Sequence, residues 1–352
     1  MFWIMGGDTI FVALAAFTGW PLLTWWSGQL EHVPWHGFQF MDLIFPLFLF
    51  IAGVSFPFSV ARRFQGQTQR SALYRHIFRR GLLLVLFGII YNNAIRFNPE
   101  ELRYASVLGR IGLAWMFGAL IFINFRQTGR IIWFFAILVG YWLLLLLVTA
   151  PDSGVDDLFS QPGNLAGYID RMILPGKFCC YGFGDNEGLL STLPAICTAL
   201  LGMFTGQFIQ SDFLRDQPMR KVRYMLIAAL LLIVTGKAWS YVFPLNKYLW
   251  SSSFVCFVGG LSLLLFTLFY LVVDLWQWKK WTRFFVVIGM NSITIYLAEK
   301  MIDFSHTAQF LFGGVIELFP ASFGNLLSAM ATFATAWLFL YLLYRKKIFL
   351  KV

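Results

Sequence analysis

The stretch "EHVPWHGFQFMDLIFPLFLFIAGVSF", residues 31–56, sets His32, Trp35 and His36 just before a long apolar run and places a carboxylate, Asp42, in its first turn. An imidazole titrates near neutrality and is the commonest general base, so His32 is suited to taking a proton from a nucleophile such as an amine. Asp42, further down the same helix, could orient or charge-balance that imidazole. Other ionisable residues also interrupt apolar runs: Asp8, Arg110, Lys237 and Glu299, with Glu187 and Asp274 at run edges. A charged side chain at membrane depth costs on the order of 2.5–3.5 kcal/mol, so it normally faces a bundle interior or a wet cavity. Arg110 and Asp42 are expected either to form a buried ion pair between neighbouring helices or to act directly, because a buried charge needs a partner. A developing oxyanion needs donors, for which Arg110 or Asn291 would serve. Lys237 is expected to snorkel, Asp274 to mark an interface and Glu299 to end a helix.

The elements that must position these residues follow from composition. The 352 residues are 59% hydrophobic, 19% aromatic and 12% charged, with repeated apolar runs near the roughly 20 residues that cross a bilayer core. An all-α integral membrane protein is expected, a polytopic bundle of about ten spans near 1–20, 38–61, 78–96, 104–124, 130–150, 188–209, 223–243, 249–276, 284–301 and 325–344. The whole of 1–352 reads as a single domain, with an outer loop over 151–187 and a re-entrant or interfacial segment over 302–324. Most of the 27 lysines and arginines fall in segments that alternate spans would put on one side, including Arg62–Arg80, Arg215–Arg223 and the terminal "YRKKIFLKV". That side is cytoplasmic by the positive-inside rule, and both termini lie there. His32, Asp8, Asp42, Arg110, Glu187 and Lys237 then fall in the outer half. The net charge of +10 comes from these short loop clusters, which excludes a nucleic-acid interface. Cys179, Cys180, Cys197 and Cys256 show no metal-ligand spacing, and the adjacent pair reads as ordinary loop residues rather than a disulfide. Met1 opens on an apolar stretch without a basic leader, so no cleavable signal is expected.

The string "HVPWHGFQFMDLIFPLFLFIAGVS" resembles the signature H-x-x-W-x-G-x-x-x-x-D-L-x-F-P-x-F-x-F-I-x-G-x-S of the heparan-α-glucosaminide N-acetyltransferase family and its bacterial relatives. "VLGRIGLAW", "GYIDRMILPG", "DNEGLLSTLPAI", "NKYLWSSSF" and "GMNSITIY" resemble further family segments in the same order. The family's opening S-x-D-x-x-R-G segment is absent, as is the lumenal amino-terminal domain of the animal enzyme. The resemblance implies acetyl transfer across a bacterial inner membrane, from acetyl-CoA on the cytoplasmic side to an amino sugar or glycan on the outer side. It makes His32 the catalytic histidine, as general base or acetyl carrier, with Asp8 and Asp42 assisting. Arg110, Glu187, Asn291 and Trp35 would hold substrate or oxyanion, and Arg79 and Arg80 the CoA phosphates. No metal is implied. The expected partners are the lipid bilayer and the acceptor, with a second copy of the chain as an option and no nucleic acid. Two other readings stand beside it: a transporter of a small solute or sugar, and an inactive relative within a glycan pathway.

Overall fold

The computed structural model describes residues 1–63, 70–93 and 102–350. Part of the basic connection after the second expected span (64–69) and part of the outer connection around 94–101 lie outside the described residues. The chain divides into two compact units, each with its own packing. One comprises Met1–His32, Gln39–Met41 and the carboxy-terminal segment from Trp276; the other comprises Val33–Phe38 and Asp42–Leu275.

In the first unit a π-helical turn at Trp3–Gly7 leads into α1 (Asp8–Thr18), and Gly6 takes φ 102°, a left-handed conformation that glycine adopts freely. A short α2 (Pro21–Gln29) opens on the proline that suits a first helical turn. The unit also receives the first residues of α3 (Phe40–Arg63). Its remaining helices are α11 (Thr282–Met290), α12 (Ser292–Met301), α13 (Phe304–Ile316) and α14 (Ala321–Arg345). Their apolar faces meet around Met5, Ile288, Ile295, Phe333 and Leu340. α11 and α12 bend by 66° at Asn291. The stretch expected over 302–324 contains α13, 13 residues long and capped by Asp303 Oδ1, which accepts from His306 N at 2.9 Å. That length is short of a span.

The second unit carries most of α3, then α4 (Arg70–Asn93), α5 (Val107–Asn124), α6 (Gln127–Leu147), a short α7 (Leu165–Ile173), α8 (Thr192–Gln210), α9 (Pro218–Trp239) and α10 (Ser252–Phe269). Glycines let these helices touch at the backbone. A Cβ on Gly53 of α3 would sit 2.2 Å from Ala199 O of α8, and one on Gly202 of α8 would sit 2.0 Å from Phe50 O. Close approach at small residues is how helices gain packing where lipid offers no hydrophobic drive between them.

Among the described residues seven helices are long and apolar enough to cross a membrane, α3, α5, α6, α8, α9, α10 with the turn that follows it, and α14; the bent α11–α12 pair would make eight. Two of the ten expected spans fall short of that measure for visible reasons. The first forms an apolar helix over only Trp3–Thr18. The third is a 24-residue helix, α4, whose leading half carries Arg70, Arg75, Arg79 and Arg80.

The expected outer loop 151–187 is folded. It holds α7, capped by Asn164 Oδ1, and a hairpin of β1 (Cys180–Tyr181) and β2 (Gly184–Asp185) with Cys180 opposite Asp185. Cys179 and Cys180 are disulfide-bonded to one another, with Cys180 at φ 80°, which corrects the reading of the pair as ordinary thiols. Adjacent cysteines give no framework spacing from which sequence could have told this. Cys197 and Cys256 are buried thiols.

Candidate active site

The amino-terminal ends of α3, α5, α8 and α10 converge in the second unit, and side chains bridge them. Lys247, in the turn before α10, sets its Nζ 3.4 Å from Asp42 Oδ1 in the first turn of α3. Arg110, one turn into α5, donates from Nη2 to Ser191 Oγ at the start of α8 and, at 3.4 Å, to Gly188 O. Its guanidinium lies 5.0 Å from the ring centroid of Trp250, just before α10. A helix amino terminus behaves as roughly half a positive charge, so a meeting of several favours acids. Asp42, Asp170, Asp185 and Glu187 are all buried.

Arg103, ahead of α5, holds two of those acids. Its Nε and Nη2 form a two-pronged pair with Asp185 Oδ2 and Oδ1 at 2.8 and 2.7 Å, and Nη2 also donates to Glu187 Oε2. Paired N–H donors in a planar fork match a carboxylate better than a point charge does. Asp185 Oδ2 accepts as well from Cys179 N at 3.0 Å, and Oδ1 from Glu187 N at 2.8 Å. Burial opposes ionisation of Asp185, but the bonds and charge of Arg103 hold its carboxyl below the usual range. For Glu187 burial prevails over the pull of Arg103 and raises the value. Asp170 of α7 accepts from Leu189 N at 2.9 Å and Asp185 N at 3.3 Å, yet burial pushes it up to about 6. Burial lowers Lys247, against the attraction of Asp42 and Glu187.

The turn Val33–Phe38 is fastened to this end. Gly37, at φ 126°, donates its N–H to Leu245 O at 2.8 Å, and Tyr248 Oη donates to Val33 O at 3.2 Å. Trp35 donates from Nε1 to Phe159 O at 2.8 Å and stacks on Tyr248 with ring centroids 5.2 Å apart; Tyr181 lies 4.9 Å from it on a tilted plane. His36 shares a hydrogen bond with Asn246 Nδ2 through Nδ1 at 3.2 Å.

The expected pairing of Asp42 with Arg110 is corrected: the ion pair of Asp42 is with Lys247, while Arg110 is anchored on Ser191 and Gly188. The reason is the tight turn before α10, which turns a loop lysine inward. The structure brings together Asp42, Arg110, Glu187 and Trp35 of the sequence-derived set in one unit. His32, Asp8 and Asn291 belong to the other. His32 is exposed in the turn after α2. Asp8 lines a cleft of about 660 Å³ with Thr9, Ser305, Ser322, Asn325 and Ser328. Asn291 is buried at the α11–α12 bend, its Oδ1 accepting from Thr294 Oγ1 at 3.3 Å and its Nδ2 without a partner among the described residues. On α4, Arg79 is exposed, whereas the Arg80 guanidinium lies 4.3 Å from the Trp115 ring centroid.

Sequence reasoning missed Arg103, Asp170, Asp185 and Lys247. A signal was present for three of them: Asp170, Asp185 and Lys247 stand inside the strings "GYIDRMILPG", "DNEGLLSTLPAI" and "NKYLWSSSF". Among the described residues no group of three or more His, Cys, Asp or Glu side chains is placed to hold a metal ion.

The resemblance read from those strings is matched by comparison with known proteins. No family model matches the chain. Heparan-alpha-glucosaminide N-acetyltransferase of Homo sapiens is 28% identical over 373 residues, covering 92% of this chain and 56% of the human protein. The enzyme of Mus musculus is 28% identical over 375 residues with the same coverage. The chain thus spans a little over half the length of the relatives it matches. Extending over nearly all of its own length, these likenesses support its membership of the heparan-alpha-glucosaminide N-acetyltransferase family.

Proposed function

We propose that this chain is a transmembrane acyltransferase that takes an acetyl group from acetyl-CoA on the cytoplasmic side and delivers it to the amine of an amino sugar or glycan on the outer side of a bacterial inner membrane. The observation that carries this reading is the convergence of charged residues from separate motif strings. Asp42, Arg110, Asp170, the neighbouring Asp185 and Glu187, and Lys247 come from five separate segments and are all buried at the helix ends that hold the Val33–Phe38 turn. So many ionisable groups withdrawn from water are costly as scaffolding and are typical of a reacting centre.

In this reading the sugar ammonium gives up a proton to His32, the freed amine attacks the thioester carbonyl carbon, and a tetrahedral oxyanion forms. Collapse expels the CoA thiolate, which takes up the second proton given up by the nitrogen, and leaves the amide. Donors such as Arg110 or Asn291 would stabilise the oxyanion. Asp42, paired with Lys247, is the acid that the sequence reading assigns to assist this base. Arg79 on α4 would meet the CoA phosphates. The alternative carrier reading draws on the bent α11–α12 pair, since broken helices line transporter sites; carriers, however, show such breaks at matching places in two repeats.

The test uses purified protein in liposomes, with acetyl-CoA supplied on one side and glucosamine on the other. Acetylglucosamine appearing only when the two substrates occupy opposite compartments supports the reading. Glucosamine crossing unmodified would support a carrier instead.

A further inference from the structure

α8, α9 and α10 are each long and apolar enough to cross a membrane, yet they do not close on one another along their whole length. α9 is clasped to α10 at the backbone: a Cβ on Gly236 of α9 would sit 2.4 Å from Phe257 N of α10, and one on Gly260 of α10 would sit 2.7 Å from Ala229 O of α9. α9 is fastened to α8 by Lys221 of its first turn, whose Nζ donates to Ile209 O at 2.9 Å and to Ser211 O at 2.7 Å at the carboxy-terminal end of α8. Along α9, between Lys221 and Gly236, a groove of about 370 Å³ is left, lined by Phe204 and Phe208 of α8, Met225 and Ala228 of α9 and Leu263 of α10. Thr205, also on its wall, turns its hydroxyl back to Leu201 O at 2.9 Å, so the wall presents carbon. The volume lies within the usual range for bound ligands, about 300–1,000 Å³.

One end of the groove is basic. Phe213 and Tyr224, both exposed, stand there with ring centroids 6.1 Å apart, as aromatic residues do at a membrane interface. Arg220 lies one helical turn before Tyr224 on the same face of α9, and Arg223 lies in that turn; both are exposed. The nearby acids do not neutralise this end, since Arg215, Arg220, Lys221 and Arg223 stand against Asp212 and Asp216, and Asp212 pairs with Arg215 at 3.3 Å. Lys221 is already spent on the carbonyls of α8, which leaves the two arginines to offer.

We propose that the groove seats one acyl chain of an anionic glycerophospholipid, with its phosphate at Arg220 and Arg223. The groove belongs to membrane-spanning helices, so the medium beside it is lipid, and a chain that needs no polar partner suits a wall of carbon. The charge at the mouth selects the headgroup: a guanidinium matches a phosphate with paired N–H donors, and an anionic lipid brings no cation of its own against the arginines. The site stands whether or not the chain transfers acetyl groups.

The experiment counts bound lipids by native mass spectrometry while the full chain in detergent is titrated with palmitoyl-oleoyl phosphatidylglycerol or palmitoyl-oleoyl phosphatidylcholine. We expect phosphatidylglycerol to be held at least about tenfold more tightly, from two arginines near the headgroup. Arg220→Gln with Arg223→Gln should bring the two lipids close to parity, whereas the same loss of charge at Lys279 and Lys280, exposed in the other unit, should leave the preference intact. Ala228→Phe, which fills the groove, should abolish tight binding of either lipid. Equal affinities for the two lipids in the unaltered protein overturn the proposal, even if a variant fails to fold. Displacement of the bound lipid by glycerol 3-phosphate at matching concentration overturns it as well, because a site that needs no acyl chain is not the groove. So does a preference that survives the Arg220 and Arg223 changes or falls equally with those at Lys279 and Lys280, and so does tight binding that persists in a folded Ala228→Phe.

Discussion

Lys247 Nζ and Asp42 Oδ1 lie 3.4 Å apart, with side-chain exposures of 8% and 1%. The pair joins the turn before α10 to the first turn of α3 away from water. Removing one member of such a pair strands the other and typically costs about 3–5 kcal/mol, whereas removing both costs far less. Asp42→Asn and Lys247→Met should each lower the unfolding midpoint in detergent, and the double variant should recover much of the loss while remaining inactive. Strictly additive losses would show that the two charges do not support each other.

The histidines separate two roles. His32→Ala is expected to lower acetyl transfer at least about a hundredfold, the usual scale for loss of a general base, without changing CoA binding. His36, tied to Asn246, should matter much less. An inactive His36→Ala beside an active His32→Ala would reverse the assignment.

Asp170 supplies a pH dependence of stability. Burial raises it from 3.8 to about 6, so between those values the folded chain retains a proton that the unfolded chain has released. Its contribution to stability is therefore greatest below pH 4, declines as pH rises through about 6, and is constant above that. Asp170→Asn should remove a decline on the order of 2–3 kcal/mol from the stability curve between pH 4 and 7. Parallel curves for the two proteins would show that Asp170 titrates normally.

Sidedness is open to direct chemistry. Glu31, in the turn after α2, and Gln217, in the basic segment before α9, are both exposed. With the arginine-rich segments in the cytoplasm, a cysteine replacing Glu31 should react with a membrane-impermeant maleimide on intact cells. One replacing Gln217 should react only after permeabilisation. The reverse pattern would invert the topology and with it the direction of acetyl transfer.

Hydropathy placed α3, α5, α6, α8, α9, α10 and α14 within a few residues, because continuous apolar runs leave little choice of location. It also singled out Asp42, Arg110 and Glu187, since a charge within or beside such a run is conspicuous. Arg103, Asp170, Asp185 and Lys247 were not legible in this way. They stand in connecting segments, where charged residues are ordinary; Asp170, Asp185 and Lys247 are buried there and Arg103 is partly so, where α7 and the β1–β2 hairpin fold back over the helix ends. The Asp42 partner was misread for the same reason. Only the position of Lys247 in space distinguishes it from any loop lysine.

The backbone contact between α3 and α8 limits how this protein can move. With Gly53 and Gly202 each seated against a carbonyl of the opposite helix, neither helix can slide along the other without first lifting away. The two therefore act as one strut fixing the spacing between Asp42 and Ser191. The contact opposes rocking of these two helices past each other within this unit. On the proposed function, both reactants would have to be brought to a centre whose helix spacing is set by this contact.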